Sequence, residues 1–151
     1  LRAAVRRALH PAKAVKDIRH NLIEMSTADD SHVARYGQLC RVSMNRFLAD
    51  LFALRASVGA EPTFESLELI LQSVYSDYEA FNSHIYADVR DGFIGERQVS
   101  SLLNVGRELL RTRESLVFAL GHYYLSSANA VLLERLSLGS AHAALPDATA
   151  L

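Results

Sequence analysis

The stretch Gln98–Leu125, QVSSLLNVGRELLRTRESLVFALGHYYL, sets the terms for the rest of the chain. It contains no proline, and Gly106 sits within a run of strong helix formers. Apolar residues recur at Val99, Leu102, Leu103, Leu109, Leu110, Leu116, Val117, Leu120 and Tyr124. That spacing lays a broad apolar stripe along one side of a long helix. The charges Arg107, Glu108, Arg111, Arg113 and Glu114 crowd its middle. An isolated helix gains little from propensity alone, so other helices have to cover the stripe.

Two more seams of the same kind precede it. Val33, Tyr36, Cys40, Met44, Phe47, Leu51, Leu54 and Val58 follow a near-heptad spacing, widened by Leu39, Leu48 and Phe52 and stopped by Gly59. Leu67, Leu71, Val74, Tyr78, Phe81 and Ile85 repeat the pattern, broadened by Leu69, Ile70 and Tyr75. Thr63 after Pro62 is the expected cap of that helix, and Asp91-Gly92 with Gly95 punctuates its end. The first helix is expected to restart at Pro11 after a break at His10-Pro11 and to run to about Ser26, with Val15, Ile18, Leu22 and Met25 as its stripe. Asp29 or Asp30 then caps the next helix. The last helix is expected to begin near Glu96, continue past Ser126-Ser127 to about Leu136 and stop at Gly139.

No alternating strand pattern occurs in the sequence. The expected fold is all-α: an elongated, antiparallel up-and-down bundle of about four helices, each roughly 40 Å long at about 1.5 Å per residue. Residues 1–139 form its single domain and residues 140–151 a flexible tail. The length of 151 residues suffices for one domain with a real core.

Net charge is −1, which gives no electrostatic case for nucleic acid. The cations are uneven, however. Arg2, Arg6, Arg7, Lys13, Lys16 and Arg19 load the start, with Asp17 the sole acid before Glu24. Arg6, Arg7, Lys13, Lys16 and Arg19 form either a solvated face or a contact for an anionic membrane surface or an acidic protein partner. The single cysteine, Cys40, allows no internal disulfide and fits a reducing compartment. No run approaches the ~18 apolar residues of a membrane span, and no secretory leader is expected from the opening residues. The chain opens on Leu1 rather than methionine, which leaves room for a preceding membrane portion.

Candidates for chemistry are few. Phosphate-cradling glycine loops, zinc spacings and glycine-flanked serines are lacking. Asp17, His20 and Glu24 share one face of the first helix, and Asp29 and His32 repeat the three-residue spacing, but no matching Glu-x-x-His occurs elsewhere. These residues make a metal-dependent bundle enzyme one alternative. Asp88 falls where the Leu67, Val74, Phe81 seam predicts an apolar residue. Either Arg107, Arg111 or Arg113 partners it, or the bundle opens there and Asp88 meets water; the open end is the expectation. Asn104 interrupts a leucine-rich turn, one turn before Arg107 and Glu108, and suits a register-fixing contact.

Asp88–Leu125 carries a short glycine-containing turn, a helix of the form S-x-L-L-N-V-x-R-E-L at Ser100–Leu109 and an apolar run at Ser115–Leu120. This segment resembles the C-terminal helical region of bacterial sodium/phosphate cotransporter family proteins, which is itself similar to PhoU, the helical regulator of phosphate uptake. The resemblance implies a cytoplasmic regulatory bundle attached to a membrane transporter portion, or a free-standing PhoU-like protein. It implies a partner in that transporter portion and a cytoplasmic location, at the inner membrane if the chain belongs to a longer protein. The E/D-x-x-x-D motifs that bind metal in PhoU are not matched: Asp17 is followed four later by Asn21, Asp77 by Phe81 and Asp88 by Gly92. The reading therefore assigns no catalytic residue, no cofactor and no metal ligand. A homodimer, in which surplus apolar surface meets a second copy, is the remaining alternative.

Overall fold

The computed structural model describes residues 2–56 and 61–143. Five helices account for nearly all of them: α1 Arg2–Thr27, α2 Ser31–Ala56, α3 Phe64–Arg90, α4 Glu96–Tyr124 and α5 Ser127–Ala143. No strand occurs among the described residues, and none of their helices is long and apolar enough to cross a membrane.

The helix ends follow from local chemistry. Asp30 Oδ1 accepts from the His32 amide at 2.8 Å and from that of Val33 at 3.5 Å, so it caps α2. Its Oδ2 accepts from Gln98 Nε2 at 3.3 Å, and Gln98 Oε1 accepts from the Gly95 amide at 2.8 Å, which ties the starts of α2 and α4 together. Thr63 and Ser66 form a reciprocal capping box at the start of α3. Gly92, at φ 75°, closes α3: the Phe93 amide donates to the Asp88 carbonyl at 2.8 Å and the Gly92 amide to that of Val89 at 3.0 Å. This double closure needs a left-handed residue, which is why glycine stands there.

Three boundaries differ from the sequence expectation. Pro11 lies inside α1 and does not start it. Proline removes one helical hydrogen bond, and here the packing of α1 along α4 holds the helix together across that gap. The last helix breaks at Leu125, whose ψ of 164° is extended, and Ser126 Oγ accepts from the Asn129 amide at 3.3 Å to cap a separate α5. The break lets α5 turn back, so that Leu133 is fully buried against Gly121. Gly139 does not stop α5, and residues 140–143 are helical and not tail; residues 144–151, and Val58 and Gly59, fall outside the described residues.

α1 packs mainly on α4, and α3 packs on α4. Across α2 and α3 the contacts run in reverse order, Tyr36 to Asp88 and Ser43 to Asp77. Across α3 and α4 they also reverse, Tyr75 to Glu114 and Phe81 to Gly106. The core is split in two. One cluster gathers Ile18, Met25, Tyr36, Cys40, Ile85, Leu102 and Val105; the other gathers Phe47, Leu67, Leu71, Val74, Val117, Phe118 and Leu133. Leu48 and Phe52, read from the sequence as widening the α2 stripe, are 37% and 69% exposed, because α2 buries a narrow face.

Gly106 is the closest approach in the core. A Cβ there would stand 2.9 Å from the Phe81 ring. The Gly106→Val variant is expected to lose about 2 kcal/mol, since overpacking outweighs the helix propensity gained. Urea denaturation measures it as a lowered midpoint with unchanged slope.

Candidate functional site: two charged clasps and a basic face

Between the two apolar clusters lies a polar layer. It is built from one position on each of three helices: Ser43, four residues before Phe47 on α2; Asp77, three after Val74 on α3; and Arg113, four after Leu109 on α4. The spacing places all three on the inward faces. Arg113 is 5% exposed. Its Nη1 donates to Ser43 Oγ at 2.6 Å and to Asp77 Oδ2 at 3.3 Å, and its Nε donates to the Leu109 carbonyl at 3.3 Å. Ser43 donates in turn to Asp77 Oδ2 at 2.6 Å. From the half-exposed rim of α2, Arg46 pairs with Asp77 Oδ1.

Burial works to raise the Asp77 carboxyl. The hydrogen bonds from Ser43 and Arg46, with the charges of Arg46 and Arg113, outweigh it and hold the group below its ordinary value. Burial pushes the Arg113 guanidinium down, while Asp77 opposes that shift. Both groups stay ionised at neutral pH, so this is a buried ion pair with a second cation on its rim. Beside it, burial pushes the Cys40 thiol up to about 11, which makes a poor nucleophile. Next along α3, the Tyr75 hydroxyl donates to Glu114, whose carboxyl burial raises.

A second clasp joins the start of α2 to the end of α3. Asp88 Oδ2 accepts from Arg35 Nη2 and from the Tyr36 hydroxyl, each at 2.8 Å, with His32 Nδ1 at 3.7 Å. The Arg35 guanidinium lies over the Tyr36 ring at 5.4 Å, and His32 stacks on Phe93 at 4.4 Å. Burial and the bond to Asp88 push the Tyr36 hydroxyl up to about 12. For Asp88, burial acts upward, but Tyr36, Arg35 and His32 hold it below the usual carboxylate range. The expectation of an open end with Asp88 in water is thereby corrected: Asp88 is 7% exposed. None of the α4 arginines is its partner. Arg107 and Arg111 lie on the surface, and Arg113 is taken by Asp77, about three turns away along α3.

The other sequence candidates lie on the surface or, for Asn104 and Glu108, half-buried at the edge of the α1–α4 contact. Asn104 Oδ1 accepts from Arg107 Nη2 at 2.8 Å, a bond within its own helix that cannot fix a register between helices. Glu108 pairs with Arg111 at 3.2 Å and lies 3.9 Å from Arg107. Lys13, Asp17, Asn104, Glu108 and Arg111 share a shallow depression where α1 crosses α4. His20 and Glu24 form an exposed pair at 3.2 Å, and among the described residues no three acids, histidines or cysteines converge as a metal site. Arg6, Arg7, Lys13, Lys16 and Arg19 are all exposed on α1, near the exposed apolar residues Val5 and Leu9. Arg7 is also tied inward: it donates to Glu134 on α5 at 2.8 Å and covers Phe118, and His122 meets the same Glu134 oxygen at 2.9 Å.

Arg35, Ser43 and Arg46 were not among the residues that sequence reasoning singled out; Tyr36 was read only as an apolar seam residue, Asp77 only as an unmatched metal motif, and Arg113 as a candidate partner of Asp88 and not of Asp77. A signal was present: each of Ser43, Asp77 and Arg113 fills a seam position between two apolar neighbours, 40-43-47, 74-77-81 and 109-113-117. No family model matches the chain, and no curated protein or solved structure matches it.

Proposed function

We propose that this chain is a non-catalytic regulatory and interaction domain of the PhoU-like kind, an up-and-down bundle serving a phosphate-transport protein at the cytoplasmic side of the membrane. The observation that carries a regulatory role is the way α2 is held. It buries few side chains, and charged clasps at Asp77 and Asp88 fasten it to α3. A buried pair such as Asp77–Arg113 adds little net stability over an apolar layer, and in this reading it serves to select one arrangement of α2 on α3; the Asp88 clasp, with Arg35 half-exposed, adds to that selection. A helix held this way suits a two-state element whose balance a partner contact shifts. The reversed contact order between neighbouring helices supports the up-and-down arrangement. The phosphate-transport assignment rests on the resemblance over Asp88–Leu125 alone.

In this reading the α1 face meets an anionic surface, the inner leaflet or the transporter portion. Its cations flank Val5 and Leu9, the mixture that anionic lipid favours. Reversing Arg6, Lys13, Lys16 and Arg19 to glutamate leaves the Arg7–Glu134 tie in place. The variant is expected to lose at least about tenfold in binding to vesicles containing phosphatidylserine, since each basic residue near such a surface contributes roughly 1 kcal/mol. Equal sedimentation of the two proteins with those vesicles would contradict the assignment.

A second reading has its own support. Phe52 on α2 and Leu69 on α3 are 69% and 66% exposed, which favours a module that buries them against a second copy. Light scattering over a concentration series separates the two: a mass that doubles and falls back in Phe52→Ser/Leu69→Ser belongs to the oligomer.

A further inference from the structure

We propose that the cleft between α2 and α3, floored by α4, binds a small organic monocarboxylate, an anion of about benzoate size. The cleft encloses a cavity of about 170 Å³. Cavities of roughly 150 Å³ with apolar linings accept a benzene-sized body. Leu39, Val42, Phe81 and Leu109 supply apolar wall for such a ring, and Gly106 in the floor leaves space for Phe81 to lie back against α4.

The polar end of the cleft carries an excess of positive charge. Arg46 and Arg113 share Asp77, the sole acid in the lining, and His84 stands in the same lining. Arg113 commits Nε to the Leu109 carbonyl and Nη1 to Ser43 and Asp77, which leaves Nη2 without a partner among the described residues. The side chain as a whole is 6% exposed, and Nη2 is not one of the fully buried orphan atoms of the described residues, so it keeps a narrow contact with solvent that a ligand can take over. A carboxylate entering beside Asp77 would meet Nη2 and the half-exposed Arg46, and would bring the cluster to neutrality.

The chemistry sets the class of ligand. A neutral ring leaves the excess cation unanswered. Inorganic phosphate answers the charge but forfeits its hydration against mostly apolar walls, with too few donors to replace it. An anion with an apolar body satisfies both halves of the cleft. The site stands independently of the α1 surface reading, and either can fail without the other.

The test is an amide-resolved NMR titration of the full chain with benzoate, benzamide and inorganic phosphate in parallel. Saturable shifts are expected for benzoate at residues 39–46 and 77–84. Benzamide is expected to bind at least about tenfold more weakly, and phosphate to produce no saturable shift there. Ala80→Phe, which places a ring at the cleft mouth, should abolish the benzoate shifts, and Arg46→Gln should weaken them at least about tenfold. The proposal is overturned if benzoate gives no saturable shift up to about 20 mM, if benzamide or phosphate binds as tightly, or if both variants bind benzoate like the parent. The wild-type comparison of benzoate with benzamide decides the matter even where a variant folds poorly.

Discussion

Replacing Asp77 with alanine is expected to destabilise the protein by about 3 kcal/mol, the largest effect foreseen for a single polar side chain here. The cost comes from Arg113, which stays buried with its counter-charge gone. Ser43 also loses the oxygen to which it donates. The solvent at the half-exposed Arg46 softens the loss, and for that reason the figure lies at the lower end for a broken buried pair. The combined variant Ser43→Ala/Asp77→Leu/Arg113→Met is expected to be at least as stable as the parent, because an apolar layer joins the two core clusters. Urea midpoints for the single and combined variants measure both effects. A combined variant as unstable as Asp77→Ala would show that the ions themselves stabilise the layer.

Asp88→Ala is expected to cost about 2 kcal/mol, again with the slope of urea unfolding unchanged. The fully buried Tyr36 hydroxyl loses its acceptor, and that desolvated donor accounts for most of the penalty. Arg35, half-exposed, recovers water and contributes little. Tyr36→Phe combined with Asp88→Leu should recover a large part of the loss. The same two carboxylates govern the response to acid. Each has its folded value held below the ordinary carboxylate range. Their contribution is therefore fully present above about pH 4 and is lost as pH falls through the lower folded values. Thermal unfolding of the parent between neutral pH and about pH 3 should show that decline, and Asp77→Asn/Asp88→Asn should flatten it.

Much of the architecture could be read from residue spacing, because apolar seams at three- and four-residue intervals report the buried face directly. Thr63, Asp30 and Gly92 marked helix ends for the same reason: each solves a local hydrogen-bonding problem that depends on its neighbours alone. Pro11 and the break at Leu125 misled because their outcome depends on distant packing, on the α1–α4 interface in one case and on the burial of Leu133 in the other. The clasps were only half legible. Asp88 stood out as a polar residue in a seam, but its partner lies 53 residues away on α2, and nothing local points to Arg35 over Arg113. Asp77 looked like a surface charge because Tyr78, one place on, completes the α3 stripe without it; Arg113 falls in the gap between Leu110 and Leu116, where its spacing alone offered it to Asp88 as readily as to Asp77.

The claim on which the account turns is that α2 is held by charge and moves as a unit. Native-state amide exchange measures this directly. In the parent, the amides of α2 should share one opening free energy, well below that of α4; in Asp77→Asn both values should fall by a similar amount, because opening either helix breaks the Asp77–Arg113 pair, and the gap between them should remain. Exchange in which α2 and α4 open with the same free energy in the parent, or in which Asp77→Asn leaves the α2 value unchanged, would contradict it.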